Sequence, residues 1–210
     1  MQLSEKVIAY LTEAYDPDAV IIYGSYADGS ANENSDFDAL VITDGIGKHD
    51  SSLIDGTELD VFIYPADTFR TEYDPEEFVQ IFDGKIVLDK HGIAARLKKR
   101  VIEYIESMPK KTDVEILRAL KWCDKMLSRT AREDAEGFYR RYWLLIDSLE
   151  IYCDIRRIHY FGPKKALKQM EYSDKEAFSL YSRALKGPDR DRLSEWIDCL
   201  NRLFAASQIE

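Results

Sequence analysis

VIIYGSYADGSANENSDFDALV, residues 20–41, decides how the rest of the chain is read. An apolar run ends at Tyr23, Gly24-Ser25 turns into a polar loop, and Ser35-Asp36-Phe37-Asp38-Ala39-Leu40-Val41 returns to apolar residues. On a β-strand alternate side chains share a face, so Asp36 and Asp38 are expected side by side while Phe37, Ala39 and Val41 turn away. Like charges that close repel unless a cation lies between them, and hard carboxylate oxygens suit Mg²⁺. A third acid, Asp60, stands in a second β-like run, Glu58-Leu59-Asp60-Val61-Phe62-Ile63-Tyr64, spaced as a neighbouring strand would be. The three acids Asp36, Asp38 and Asp60 are expected to converge as a metal clamp.

In that order, Gly24-Ser25, a loop, Asp36-Phe37-Asp38 and a later Asp60 resemble the nucleotidyltransferase signature of the DNA polymerase β superfamily. Within it they look most like the kanamycin and lincosamide type of small-molecule nucleotidyltransferases. Phe82-Asp83-Gly84 followed by Ile86-Val87-Leu88-Asp89 looks like the end of such a catalytic domain, so the likeness runs over residues 1–95. It implies transfer of a nucleoside monophosphate from an NTP donor to a hydroxyl of a small-molecule acceptor, aminoglycoside-like at its most specific, with pyrophosphate leaving. Two Mg²⁺ ions, or Mn²⁺ in their place, would be held by Asp36 and Asp38, because a metal pair binding the attacking and leaving oxygens needs bridging carboxylates. Asp60 would complete the attacking-side ion and serve as general base. Gly24 would let the backbone approach the triphosphate, and Ser25 would donate its hydroxyl to the β or γ phosphate. No Gly-Lys-Ser/Thr follows, so this is not a Walker A loop. The chain departs from many relatives at Asp28, where they carry a basic residue.

The chain has 210 residues and a formal net charge of −10, enough for one large or two modest domains. Residues 1–95 hold 5 Lys+Arg against 20 Asp+Glu, and residues 96–210 hold 24 against 19. The reversal suggests a domain boundary there. The acidic balance argues against a protein that tracks a phosphate backbone, so no nucleic-acid partner is expected. Cys123, Cys153 and Cys199 are odd in number, widely spaced and set in helical patterns, and read as buried thiols of a reducing cytoplasm. No apolar stretch approaches the ~20 residues of a membrane span, and no signal-peptide core follows Met1, so a soluble cytoplasmic protein is expected.

The patterning predicts an α+β protein: a nucleotidyltransferase domain with a short mixed β-sheet, residues 1–95, then an all-α helical bundle, 96–210, closing the cleft over nucleotide and acceptor. Helix 3–15 ends at Asp16-Pro17, strands follow at 19–23, 37–43, 58–64 and 84–88, and residues 44–57 read as a loop. Asp74-Pro75 opens a short helix. From Ile93 the pattern is helical throughout, with Thr112/Glu115 and Ser173/Glu176 as capping boxes and a long helix over 134–159.

In the helical half, Lys164 and Lys165 stand at a helix start, where backbone amides favour anions, and are candidates for the triphosphate. Solvated surface lysines are the other reading. Trp143, Asp147, Glu150 and Asp154 fall on one helix face, an acidic stripe suited to an amine-rich acceptor, though a solvated face is the simpler explanation. Tyr139, Tyr142 and Tyr152 read as core. The same residues also allow a protein-modifying nucleotidyltransferase of the antitoxin type, or a non-catalytic nucleotide-binding protein that keeps the fold.

Overall fold

The computed structural model describes residues 2–208. The chain divides into two compact units, Met1–Met108 and Pro109–Glu210. In the first, α1 (Leu3–Tyr15) leads into β1 (Ala19–Ile22), the short α2 (Gly24–Asp28) and β2 (Phe37–Thr43). Next come β3 (Lys48–Asp50), β4 (Leu53–Ile54), β5 (Thr57–Pro65), two 3₁₀ helices (Ala66–Phe69 and Pro75–Ile81), β6 (Lys85–Asp89) and α3 (Ile93–Ser107). The sheet order is β3-β5-β2-β1-β6, with β4 paired to β5. It is mixed as expected: β2 and β5 run parallel, while β1 pairs antiparallel with β2 and with β6.

The period-two pattern of the strands decides what each face carries. Phe37, Ala39 and Val41 of β2 and Leu59, Val61 and Ile63 of β5 are buried together with Val7 and Leu11 of α1. Each large apolar side chain fully buried in this way contributes ~1.5–3 kcal/mol. Residues read as a loop contain β3 and β4. Lys48-His49-Asp50 has no apolar alternation, and it becomes a strand only by adding to the edge of β5.

The domain boundary also differs from the change in charge. Residues 93–107 form one helix whose Ile93, Ala94, Leu97, Val101 and Ile105 are buried, and this helix packs against β1, β6 and the 3₁₀ helix Pro75–Ile81. The basic residues that suggested a break after residue 95 take the exposed and half-buried positions of that helix, between its buried apolar ones; the units divide after Met108.

Asp50 ties β3 to α1. It is 6% exposed and accepts hydrogen bonds from Tyr10 (3.0 Å), Tyr15 and the Ser52 amide (2.9 Å). Burial pushes its carboxyl up, but the bonds from the Ser52 hydroxyl, Tyr15, the Ser52 amide and Tyr10 outweigh this and hold it below the usual carboxylate range. A depressed folded-state pKa stabilises the fold above about pH 4, and that contribution is lost as pH falls through the folded value. Asp50→Asn is therefore expected to lose about 1–3 kcal/mol at pH 7. Denaturant unfolding at pH 7 and pH 3 should show the gap to wild type narrowing in acid; a gap of constant size would mean the carboxylate charge contributes nothing.

The second unit is helical: α4 (Asp113–Arg129), α5 (Ala135–Ile155), α6 (Pro163–Ser173), α7 (Lys175–Lys186) and α8 (Arg190–Ser207). Its core gathers Leu144, Leu149, Tyr152, Tyr181, Trp196 and Leu200, among others. The polar atoms of two aromatics in this core are matched: Trp196 Nε1 donates to Ser148 Oγ (2.8 Å) and Tyr181 Oη to the Leu145 carbonyl (3.0 Å). The Thr112/Glu115 capping box forms as read. At α7 the cap is Asp174 rather than Ser173, accepting from the Ala177 amide, because α6 continues through Ser173. The long helix stops at Ile155, four residues before His159, and Arg157 takes a positive φ of 57°. Among the described residues no helix is long and apolar enough to cross a membrane.

Candidate active site

The parallel pairing of β2 with β5 sets Asp38 directly beside Asp60, as it sets Phe37 beside Leu59 and Ala39 beside Val61. The core residues of both strands face α1, so period two sends both acids to the opposite face. Both are partly exposed, while Leu40 and Ile42, further along the acid face, are fully buried. Asp36 lies one residue ahead of β2 and is exposed. Among the described residues no three His, Cys, Asp or Glu side chains are gathered as a ready metal cage. Anions on neighbouring strands repel one another, and Mg²⁺ is commonly held by one or two carboxylates together with waters and substrate phosphates rather than by an all-protein cage.

The turn after β1 is fitted to Asp38. The Tyr23 amide donates to the Asp38 carbonyl (3.1 Å), and Gly24 then adopts φ +64° and starts α2. A Cβ at Gly24 would lie 2.2 Å from Asp38 Oδ2, so only glycine lets the backbone pass this close to the carboxylate. Ser25 is buried, and its carbonyl accepts the amides of Ser30 (3.0 Å) and Ala31 (3.2 Å), which pins the loop back onto the turn. Asp28, the departure noted above, accepts the Ser30 amide (2.9 Å) and so closes the same loop.

Two residues that sequence reasoning missed stand beside the acids. Tyr23 is 7% exposed, and burial first, then the charges of Asp38 and Asp60, raise its phenol above the ordinary tyrosine range. It stays protonated at neutral pH and is a hydrogen-bond donor in the field of both carboxylates. The other is His49 on β3, whose Nε2 lies 2.7 Å from Asp60 Oδ1. Tyr23 could have been found as the last residue of the apolar run before Gly24; His49 had no signal, because β3 had none.

In the helical unit, Trp143 Nε1 donates to Asp147 Oδ2 (2.6 Å), and Trp143 packs edge-on against Trp122. Lys111 bridges Glu150 (3.2 Å) and Asp154 (2.8 Å), so the lower half of the acidic stripe is partly neutralised. Burial nevertheless raises the Asp154 carboxyl. Tyr152 is core as read, but Tyr139 and Tyr142 are 67% and 55% exposed: they fall on the outer face of α5 together with Trp143 and Ile146. Lys164 is exposed and Lys165 half-buried in the first turn of α6. The three cysteines are free and buried, and burial pushes the Cys123 and Cys153 thiols up to about 12, which keeps them unreactive.

The family described as Polymerase beta, Nucleotidyltransferase matches residues 5–91. A solved structure of a nucleotidyltransferase-like protein from Exiguobacterium sibiricum 255-15 is similar at 14% identity, over 98% of this chain and 74% of that one, with a TM-score of 0.37. No protein of curated function matches. The match of residues 5–91 spans β1, the Gly24-Ser25 turn and all three acids, so the similarity to that family covers the whole of the candidate site in the first unit.

Proposed function

We propose that the protein transfers a nucleoside monophosphate from an NTP to a hydroxyl of a small-molecule acceptor, in the manner of the kanamycin and lincosamide type. The observation that carries this reading is the placement of Asp38 beside Asp60 on parallel strands, with Gly24 packed against Asp38. The donors are all hard oxygens on one sheet face, with Asp36 two residues ahead, a set that fits Mg²⁺. Bound there, Mg²⁺ would neutralise the phosphate oxygens and the leaving pyrophosphate. Asp60 accepts the proton of the attacking hydroxyl as its oxygen bonds to the α-phosphorus and the bond to the pyrophosphate oxygen breaks. Tyr23 supplies a protonated donor beside the acids. Ser25, Lys164 and Lys165 are the proposed phosphate contacts, and Trp143, Asp147 and Glu150 the proposed acceptor contacts, on their chemistry alone.

A second reading, transfer to a protein hydroxyl, draws on the outer face of α5, where Phe138, Tyr139, Tyr142, Trp143 and Ile146 expose large apolar side chains of the kind that interfaces bury.

Calorimetric titration with non-hydrolysable ATP, GTP, CTP and UTP analogues, with and without Mg²⁺, tests the donor site. Metal-dependent binding is expected for the wild type and its loss in Asp36→Asn/Asp38→Asn. Equal binding by the double variant would refute the acid site.

A further inference from the structure

The edge strand β3 brings one side chain to the acid face. His49 is the antiparallel partner of Phe62 on β5. Side chains on one face of such a pair also meet diagonally, two residues along the partner strand. From His49 that diagonal leads to Asp60, and there Nε2 and Oδ1 are 2.7 Å apart. The imidazole also lies against the Phe62 ring, with centroids 4.7 Å apart and planes inclined by 37°. Backbone pairing, ring contact and hydrogen bond thus fix the imidazole together. An ionised carboxylate only accepts, so Nε2 is the donor.

Building on the transferase reading, we infer that His49 is the positioning residue of Asp60: it holds Oδ1 and leaves Oδ2 as the oxygen for the metal or the acceptor hydroxyl. A carboxylate on a strand otherwise rotates about its last side-chain bond, and that freedom is lost each time it must be aimed. Partners that orient a ligating group in this way typically change metal affinity or activity ~10- to 100-fold when removed. His49 is half-exposed and outside the buried core, so its loss should leave the fold in place.

Two measurements on the full chain test this. The chain has three histidines, so His49→Gln assigns the His49 ring in long-range ¹H–¹⁵N spectra by its disappearance. The wild type should show a single Nε2–H tautomer for His49, and Asp60→Asn should shift that ring while leaving His91 and His159 unchanged. Mixed tautomers, or a His49 ring indifferent to Asp60→Asn, would overturn the inference. The second measurement is Mn²⁺ titration by electron paramagnetic resonance in the presence of a non-hydrolysable NTP. His49→Ala should weaken Mn²⁺ binding ~10- to 100-fold, His49→Gln should recover most of it through its amide donor, and His49→Ala should add nothing in an Asp60→Asn background. Undiminished binding by His49→Ala, or an equal loss with and without Asp60, would show that His49 does not act through Asp60. A wild type that binds no Mn²⁺ would instead remove the metal reading, and the ring spectra would still decide the His49–Asp60 contact.

Discussion

Asp38→Asn is expected to lower nucleotidyl transfer by about 10³-fold or more while the protein stays folded, because it removes a charge worth several kcal/mol to the transition state. The backbone there is held independently of the carboxylate. The Asp38 carbonyl accepts the Tyr23 amide, Phe37 and Ala39 on either side are fully buried, and β2 is paired on both edges, with β1 and β5. Asparagine matches the side chain in shape and keeps one carbonyl oxygen, so what disappears is the anionic ligand. Pyrophosphate release measured beside the melting curve separates the two effects. Unchanged turnover would sink the acid site, and a collapsed melting curve would show that Asp38 is structural. Asp60→Asn should also slow transfer, by the ~10²- to 10⁴-fold typical of a general base, and should not add fully to Asp38→Asn if the two acids serve one centre.

Much of this centre was legible in residues 20–41, because strand chemistry has a short period: two acids two apart in an apolar run leave few other arrangements. The pairing of β2 with β5 was legible only as adjacency. That they run parallel and set Asp38 against Asp60 follows from the whole path of the chain, with β1 inserted beside β2 and β3 added outside β5. β3 was invisible for the same reason, since Lys48-His49-Asp50 gains its extended form from a partner rather than from its own side chains, and His49 was missed with it. Helix faces were misread where aromatic residues stand on more than one face of the helix. Tyr139 and Tyr142 have the composition of core, yet α5 buries Leu144, Leu145, Leu149 and Tyr152 and turns those two tyrosines outward. Charge marked a boundary near residue 95, but charge is a property of the surface, whereas Leu97, Val101 and Ile105 belong to the first unit through their burial.

Gly24→Ala should damage both stability and nucleotide binding, and comparison with Gly29→Ala shows why. Both glycines have left-handed backbones, φ +64° and +79°, where a Cβ costs ~1–2 kcal/mol. At Gly29 an added Cβ meets nothing within 4 Å, so Gly29→Ala should show that backbone cost alone and keep its binding. At Gly24 it would meet Asp38 Oδ2 at 2.2 Å and Cγ at 2.9 Å, so the carboxylate must swing away or the turn must open. Denaturant unfolding should therefore show a larger loss at Gly24, and metal-dependent binding of an NTP analogue should fall only there. The added loss is a contact and should be reversible. Asp38→Ala deletes the clashing atoms and leaves its Cβ 3.4 Å from the new methyl, an ordinary contact, so Gly24→Ala/Asp38→Ala should be more stable than Gly24→Ala alone. Recovery of stability without recovery of binding would tie the glycine to the acid, because the double variant regains the fold only by giving up the carboxylate that the turn is shaped to admit. If Gly24→Ala bound the nucleotide as tightly as the wild type, the close passage of the turn over Asp38 would be a matter of packing, and the donor site would have to be sought elsewhere on the domain.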